Sequence, residues 1–139
     1  MQENLEKVFH PSISIIVPAY NSERTISKIL KSLFTSAAQY PGSCEIIVVD
    51  DGSSDYTYEI AWATINRCKR TWPNVHGKVV RHTAKLGIKE AAKTGGKKAS
   101  GTLIAVVDAQ IDWKTHILRE FMCMTEKKGL SPIDLHSLV

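Results

Sequence analysis

Ile15-Ile16-Val17-Pro18-Ala19-Tyr20-Asn21 and Ile46-Ile47-Val48-Val49-Asp50-Asp51-Gly52-Ser53 are two short apolar runs that each break off into polar, turn-forming residues. Runs of β-branched residues this continuous suit central strands of a parallel sheet covered on both faces. A third run, Leu103-Ile104-Ala105-Val106-Val107, ends the same way in Asp108. In open α/β sheets the ligand crevice lies just past the carboxyl ends of the strands. Tyr20, Asn21, Asp50, Asp51 and Asp108 therefore fall where a ligand would sit.

Between these runs the periodicity changes from strand to helix. Ile26, Ile29, Leu30, Leu33, Phe34 and Ala37 follow the i, i+3, i+4, i+7 spacing of one buried helical face. Asn21 or Ser22 is expected to cap that helix, with Glu23 in its first turn. Pro18 is expected to close the first strand, residues 12–17, because proline cannot donate to a sheet ladder. The second strand is placed at 45–49. After Asp51-Gly52-Ser53-Ser54-Asp55 a second helix runs to about Arg70, and Trp72-Pro73 stops it. A third strand is placed at 78–81 and a fourth at 102–107. The helix expected at 88–99 has an inner face of small residues, with Ile88, Ala91, Ala92, Gly95 and Ala99 packing close on the sheet. A last helix is placed at 114–127, and the tail from Gly129 has no clear pattern. Alternating strands and helices define an α/β chain with right-handed crossovers, a Rossmann-like three-layer sandwich on a mostly parallel sheet.

The 139 residues suit one domain, taken as 1–139. An apolar share of 43% and a charged share of 23% are those of a globular protein with a core. No apolar stretch approaches the roughly 20 residues that span a bilayer. The start, Met1-Gln2-Glu3-Asn4-Leu5-Glu6-Lys7, lacks the pattern of a signal peptide. Cys44, Cys68 and Cys123 are odd in number and far apart, which suits reduced, partly buried thiols. A cytoplasmic protein is the expectation. The net charge of +4 is compatible with nucleic acid, an anionic membrane surface or a phosphate-bearing small molecule. Lys89, Lys93, Lys97 and Lys98 read most simply as a solvated helix face. The five histidines show no ligand spacing to one another, and most are expected at the surface.

Two nucleotide motifs are absent. The G-x-x-x-x-G-K-[ST] loop is missing, and Pro18-Ala19-Tyr20-Asn21 stands where a dinucleotide fold would carry G-x-G-x-x-G. Tyr20 can still line a base, and a helix opening after it offers unpaired N–H groups. One of Asp50 and Asp51 can accept from a base N–H or ribose hydroxyl while the other braces Gly52-Ser53. Asp55 is a helix-start residue. Asp108-Ala109-Gln110-Ile111-Asp112 alternates oxygen ligands in a way that suits a hard divalent cation such as Mg²⁺ or Mn²⁺; the alternative is a strand-end turn of ordinary polar residues.

The order of V-P-A-Y-N, V-D-D-G-S-S-D, a Leu86-Gly87 turn before a helix, and a strand ending Asp108-Ala109 resembles family 2 glycosyltransferases over about residues 12–113. The resemblance implies a glycosyltransferase-A fold and a nucleotide-diphosphate sugar donor, with no nucleic-acid partner. Pro18, Ala19, Tyr20 and Asn21 would border the nucleotide. Asp51 would contact base or ribose, with Asp50 its structural neighbour or a second contact. Lys85 stands where the family often has Asn, near base and diphosphate. Asp108 would be the first acid of the D-x-D metal motif. Gln110 replaces the second acid, and Asp112 follows, so that D-A-Q-x-D stands where polyprenyl-phosphate sugar transferases of the family often read D-A-D-x-Q. The ligand set implied is Asp108, Gln110 and Asp112. The family continues well beyond this point into an acceptor half, whereas only residues 113–139 follow here.

The expectation is thus the donor half of a glycosyltransferase, with the acceptor half missing. The reaction implied is metal-assisted transfer of the sugar to an acceptor hydroxyl or phosphate, on a polyprenyl phosphate or a saccharide. No catalytic base is assigned. An exposed edge left by the missing half would favour self-association, and peripheral membrane contact is compatible with the charge. The alternative is a non-catalytic nucleotide-binding or assembly module. A sugar nucleotidyltransferase would want a glycine-rich basic loop after the first strand, and none is present.

Overall fold

The structure, a computed structural model, describes residues 10–109 and 133–134. The predicted helix at 114–127, together with Gln110, Asp112 and Cys123, lies outside the described residues. Strands β1 (Ile13–Ala19), β2 (Cys44–Asp50), β3 (Val75–Arg81), β4 (Leu103–Val106) and β5 (Ile133–Asp134) form one sheet in the order β3-β2-β1-β4-β5. Every pairing is parallel. Helices α1 (Ile26–Gln39), α2 (Thr57–Thr71) and α3 (Ile88–Lys98) connect the first four strands.

Strand pleating sends alternate residues of β1 and β2 to opposite faces. Ile15, Val17, Ile46 and Val48 pack with Ile29, Leu33, Phe34 and Ile65 of α1 and α2. Ile16, Ile47 and Val49 pack with Ala91 of α3. All seven residues of β1 and all seven of β2 are buried, which is why both runs lack polar alternation. At the opposite end from the candidate site, Ser14 Oγ–H (2.6 Å), Ser100 N–H (2.6 Å) and Ser100 Oγ–H (3.0 Å) donate to the buried Glu45 carboxylate. They tie the α3–β4 connection to the sheet. Burial alone would raise this carboxyl, but these bonds and the Lys78 ammonium hold it below its ordinary value.

The boundaries depart from the expected ones for identifiable reasons. Pro18 does not end the first strand; it pairs with Val49 inside β1. Ile16 and Pro18 turn their carbonyls toward the β4 side, where they accept from Val107 and Ala109. The missing proline donor faces that same side, beyond Val106, the last β4 residue paired with β1. The paired β1–β4 ladder, Ile13 to Ile16, stays intact. The first helix starts at Ile26, later than the expected cap at Asn21 or Ser22. The Ser22 carbonyl first closes a turn by accepting from Thr25 and Ile26. Asn21 instead adopts φ 47°. β3 begins at Val75, ahead of the expected 78, because its ladder with β2 carries through His76 and Gly77. On α3, Ala91 and Gly95 are buried as expected, but Ile88 is 54% exposed. The short β5 was not foreseen. Cys44 and Cys68 are buried free thiols; burial, and then the Glu45 charge, push Cys44 up to about 12. Among the described residues no helix is long and apolar enough to cross a membrane.

Candidate functional site

The chain leaves β1 for β2 and β3 on one side, then returns to place β4 on the other. The sheet's topological switch point therefore lies between the carboxyl ends of β1 and β4, where such folds open a crevice. A cavity of about 430 Å³ lies there, lined by Pro18, Ala19, Tyr20, Asp51, Lys85, Gly87, Ile88 and Asp108. Six of the eight residues expected to meet a nucleotide share this one cavity. Asn21 and Asp50 are not among its lining residues.

The register explains the convergence. Ala19 pairs with Asp50, and Asp50 with Arg81, so the first three strands end level. The next residue of each, Tyr20, Asp51 and His82, then leaves the sheet at the same height. Asp51 N–H donates to Ala19 O and His82 N–H to Asp50 O, both at 2.8 Å, which extends the order one residue past the strands.

Asn21 and Asp50 serve the loops. Ser54 N–H donates to Asn21 Oδ1 at 2.9 Å, and Asn21 N–H donates to Ser53 Oγ at 2.8 Å. Ser22 N–H to Thr57 Oγ1 (2.7 Å) and Tyr56 N–H to Glu23 Oε1 (3.1 Å) continue the lacing of the β1–α1 loop to the β2–α2 loop. Asp50 is fully buried; Ser53 N–H reaches its Oδ1 at 3.4 Å, and Arg81 Nε lies 3.4 Å from Oδ2. Arg81 also lies over the Tyr58 ring, 4.6 Å from its centroid. Asp55 starts α2 as expected, its Oδ1 accepting from Thr57 N–H at 2.9 Å.

Asp51 is 3% exposed. Its Oδ1 accepts from Leu86 N–H at 2.8 Å and faces His82 Nδ1 at 2.8 Å, while Oδ2 accepts from Gly87 N–H at 2.9 Å. Burial pushes this carboxyl up, yet the Leu86, His82 and Gly87 hydrogen bonds and the nearby imidazole outweigh it, leaving the group below its ordinary value and ionised. Gly87, at φ 105°, occupies a backbone conformation open to glycine, and this turn presents two successive N–H groups to one carboxylate. Gly52, at φ 71°, is needed for a second reason: a Cβ there would stand 2.5 Å from Ala84 C and 2.7 Å from Lys85 N. The 84–85 backbone thus crosses directly over Gly52 and delivers Lys85 to the cavity. Lys85 Nζ lies 4.2 Å from the centroid of the Tyr20 ring, a cation–π contact.

His82 is the residue that sequence reasoning missed. Most histidines were expected at the surface and none was given a role, but the His82 side chain is only 9% exposed. Its Nε2 lies 2.8 Å from Thr94 Oγ1 of α3.

For a divalent cation, Asp108 is the second carboxylate among the described residues lining the cavity, and Asp51 already accepts from three protein donors, two on Oδ1 and one on Oδ2. A hard ion wants such an oxygen. Gln110 and Asp112, the other two expected ligands, lie outside the described residues. Among the described residues no three His, Cys, Asp or Glu side chains converge as a ready cation cage. The donor set that can be placed therefore fits an ion shared with a ligand's own oxygens rather than an all-protein site.

A parallel α/β sandwich with a tyrosine, a lysine and two carboxylates at its switch point has the makings of a phosphate-bearing ligand site. The sequence model of Glycosyl transferase family 2 matches residues 14–120, and the chain belongs to that family. It is 35% identical over 125 residues to the uncharacterized glycosyltransferase EpsJ of Bacillus subtilis, covering 90% of this chain and 33% of that protein. Among solved structures it is similar to the mannosyltransferase PcManGT from Pyrobaculum calidifontis in complex with GDP-Man and Mn2+. That match has a TM-score of 0.65 and 27% identity, covering 80% of this chain and 31% of the other. It is also similar to S. aureus TarS in complex with UDP-GlcNAc, with a TM-score of 0.64 and 28% identity, covering 84% and 31%. The glycosyltransferase-A fold expected from the sequence is that of these neighbours. The chain spans about a third of the length of the relatives it matches.

Proposed function

We propose that this chain is the nucleotide-sugar-binding half of a family 2 glycosyltransferase, one domain that holds a nucleoside-diphosphate sugar with a divalent metal for transfer to an acceptor hydroxyl or phosphate. The observation that carries the proposal is the single cavity at the switch point joining Tyr20, Asp51, Lys85 and Asp108. Asp51, pinned and ionised, accepts a hydrogen bond from base or ribose. Tyr20 lines the nucleotide with its ring, and Pro18 and Ala19 form the floor. Lys85 brings a positive charge to the diphosphate from the loop over Gly52. Mg²⁺ or Mn²⁺ would be held by Asp108 together with Gln110 and Asp112, and would neutralise the diphosphate as it leaves. The structure of PcManGT with GDP-Man and Mn2+ supports pairing donor and metal in such a fold.

Titration calorimetry of the chain with UDP, GDP, CDP and dTDP compounds, with Mn²⁺ and then with chelator, tests the reading. Saturable binding that tightens with metal is expected, and Asp112→Asn should lower metal affinity. No saturation with any of these compounds would overturn the donor site. An Asp112→Asn variant with undiminished metal affinity would remove Asp112 from the ligand set.

A further inference from the structure

The donor set around Asp51 is fuller than a ligand contact requires. A carboxylate has about four acceptor positions, two on each oxygen. His82 Nδ1 and Leu86 N–H take both positions on Oδ1, at 2.8 Å each, and Gly87 N–H takes one on Oδ2 at 2.9 Å. One position remains, on Oδ2, and Asp51 lines the cavity.

The histidine in this count is held on both sides. Asp51 is ionised and can only accept, so Nδ1 carries the hydrogen facing it. Thr94 Oγ1, 2.8 Å from Nε2, is the partner of the other ring nitrogen. In the neutral ring Nε2 accepts the Thr94 hydroxyl hydrogen, which fixes both tautomer and ring orientation. The three residues come from the end of β2, the end of β3 and the middle of α3. The relay is therefore anchored on regular elements rather than on loops alone.

We propose that the Thr94–His82–Asp51 chain sets the base of the donor: by occupying Oδ1, it leaves Asp51 one acceptor position and selects a uracil-type base over guanine. This rests on the donor-site reading above. Guanine offers adjacent N1–H and N2–H groups that pair with a carboxylate through both oxygens, and Oδ1 is already full. Its second donor would be left buried without a partner, which costs far more than a missing contact in water. A uracil-type imide offers a single N–H between two carbonyls and needs only the open position on Oδ2. His82 and Thr94 are positioning residues in this scheme; neither touches the ligand.

Binding of UDP and GDP to the full chain, measured by calorimetry with Mn²⁺ present, tests the proposal. The wild-type chain should bind UDP about tenfold or more tighter than GDP. His82→Phe keeps ring bulk but removes the Nδ1 donor, freeing a position on Oδ1; the UDP-to-GDP preference should shrink several-fold. Thr94→Val, which removes the ring's second partner without touching Asp51, should shift the preference in the same direction by less. A merely structural role for His82 would weaken both nucleotides alike and leave their ratio unchanged, and that result overturns the proposal. GDP binding as tightly as UDP in the wild type overturns it without any variant, while the donor-site reading stands. Binding of neither nucleotide defeats the donor-site reading itself.

Discussion

Asp51 and His82 are 31 residues apart in sequence and 2.8 Å apart in space. No local pattern announces such a pair. The available signal was indirect: each is the first residue after a parallel strand, and level strands put such residues side by side. Asp51 itself was legible, because a carboxylate at the end of an apolar run has few structural reasons to be there. The division of labour between Asp50 and Asp51 was legible only in part, since one residue's slip along a strand reverses which side chain faces the crevice. Asp51 also carries a stability prediction. Its carboxyl is held below its ordinary value in the folded chain, so its bonds stabilise the fold fully above the unfolded carboxyl's range, about pH 4. That contribution fades as pH falls through the lower, folded value. Asp51→Asn should therefore be less stable than wild type at neutral pH, by about 1.5–3 kcal/mol for a lost charged hydrogen-bond set. The gap should close on acidification. Urea denaturation of both proteins across pH 2–7 checks this, and a gap that persists in acid would show that the cost is steric.

Secondary structure was most readable where one force dominates. β1 and β2 are buried on both faces, and the α1 core positions Ile26, Ile29, Leu30, Leu33, Phe34 and Ala37 are all buried as their spacing predicted. Errors arose where hydrogen bonding rather than burial sets a boundary, as at the turn before α1 and at the polar start of β3. The helix α3 shows how two adjacent glycines can have opposite meanings. A Cβ on Gly95 would lie 2.4 Å from Ile16 Cγ2, in the middle of the sheet, whereas a Cβ on Gly96 meets nothing within 4 Å. Alanine gains about 1 kcal/mol over glycine in a helix interior. At Gly96 that gain stands alone, so Gly96→Ala should raise the melting temperature. At Gly95 the gain competes with overpacking of about 1–3 kcal/mol against Ile16, itself 1% exposed and unable to yield. Gly95→Ala should lower the melting temperature. Thermal denaturation of the two variants decides the matter, and a stabilised Gly95→Ala would mean that α3 lifts from the sheet at little cost.

At the scale of the molecule, strand order turns scattered residues into one cavity. The chain reverses direction across the sheet between β3 and β4, which brings Asp108 beside Tyr20 although 88 positions separate them. Sequence could foresee this because parallel crossovers are right-handed and ligands gather at the reversal. Transfer asks for more than donor binding. The acceptor hydroxyl must be held against the anomeric carbon, with a base about 2.6–3.2 Å from its proton. Among the described residues, two carboxylates line the cavity: Asp51 accepts from three protein donors, and Asp108 is the residue proposed for the metal. His82 is turned toward Asp51 and Thr94. The chain also spans only about a third of the relatives' length. The 139-residue chain is therefore expected to bind a nucleotide sugar yet transfer the sugar very slowly, with slow hydrolysis of the donor as its main turnover. Donor consumption and product formation, followed in parallel with a saccharide and a polyprenyl phosphate as acceptors, measure this directly. Brisk transfer to either acceptor by the purified monomer would refute it, and would place a working base among residues 110–139.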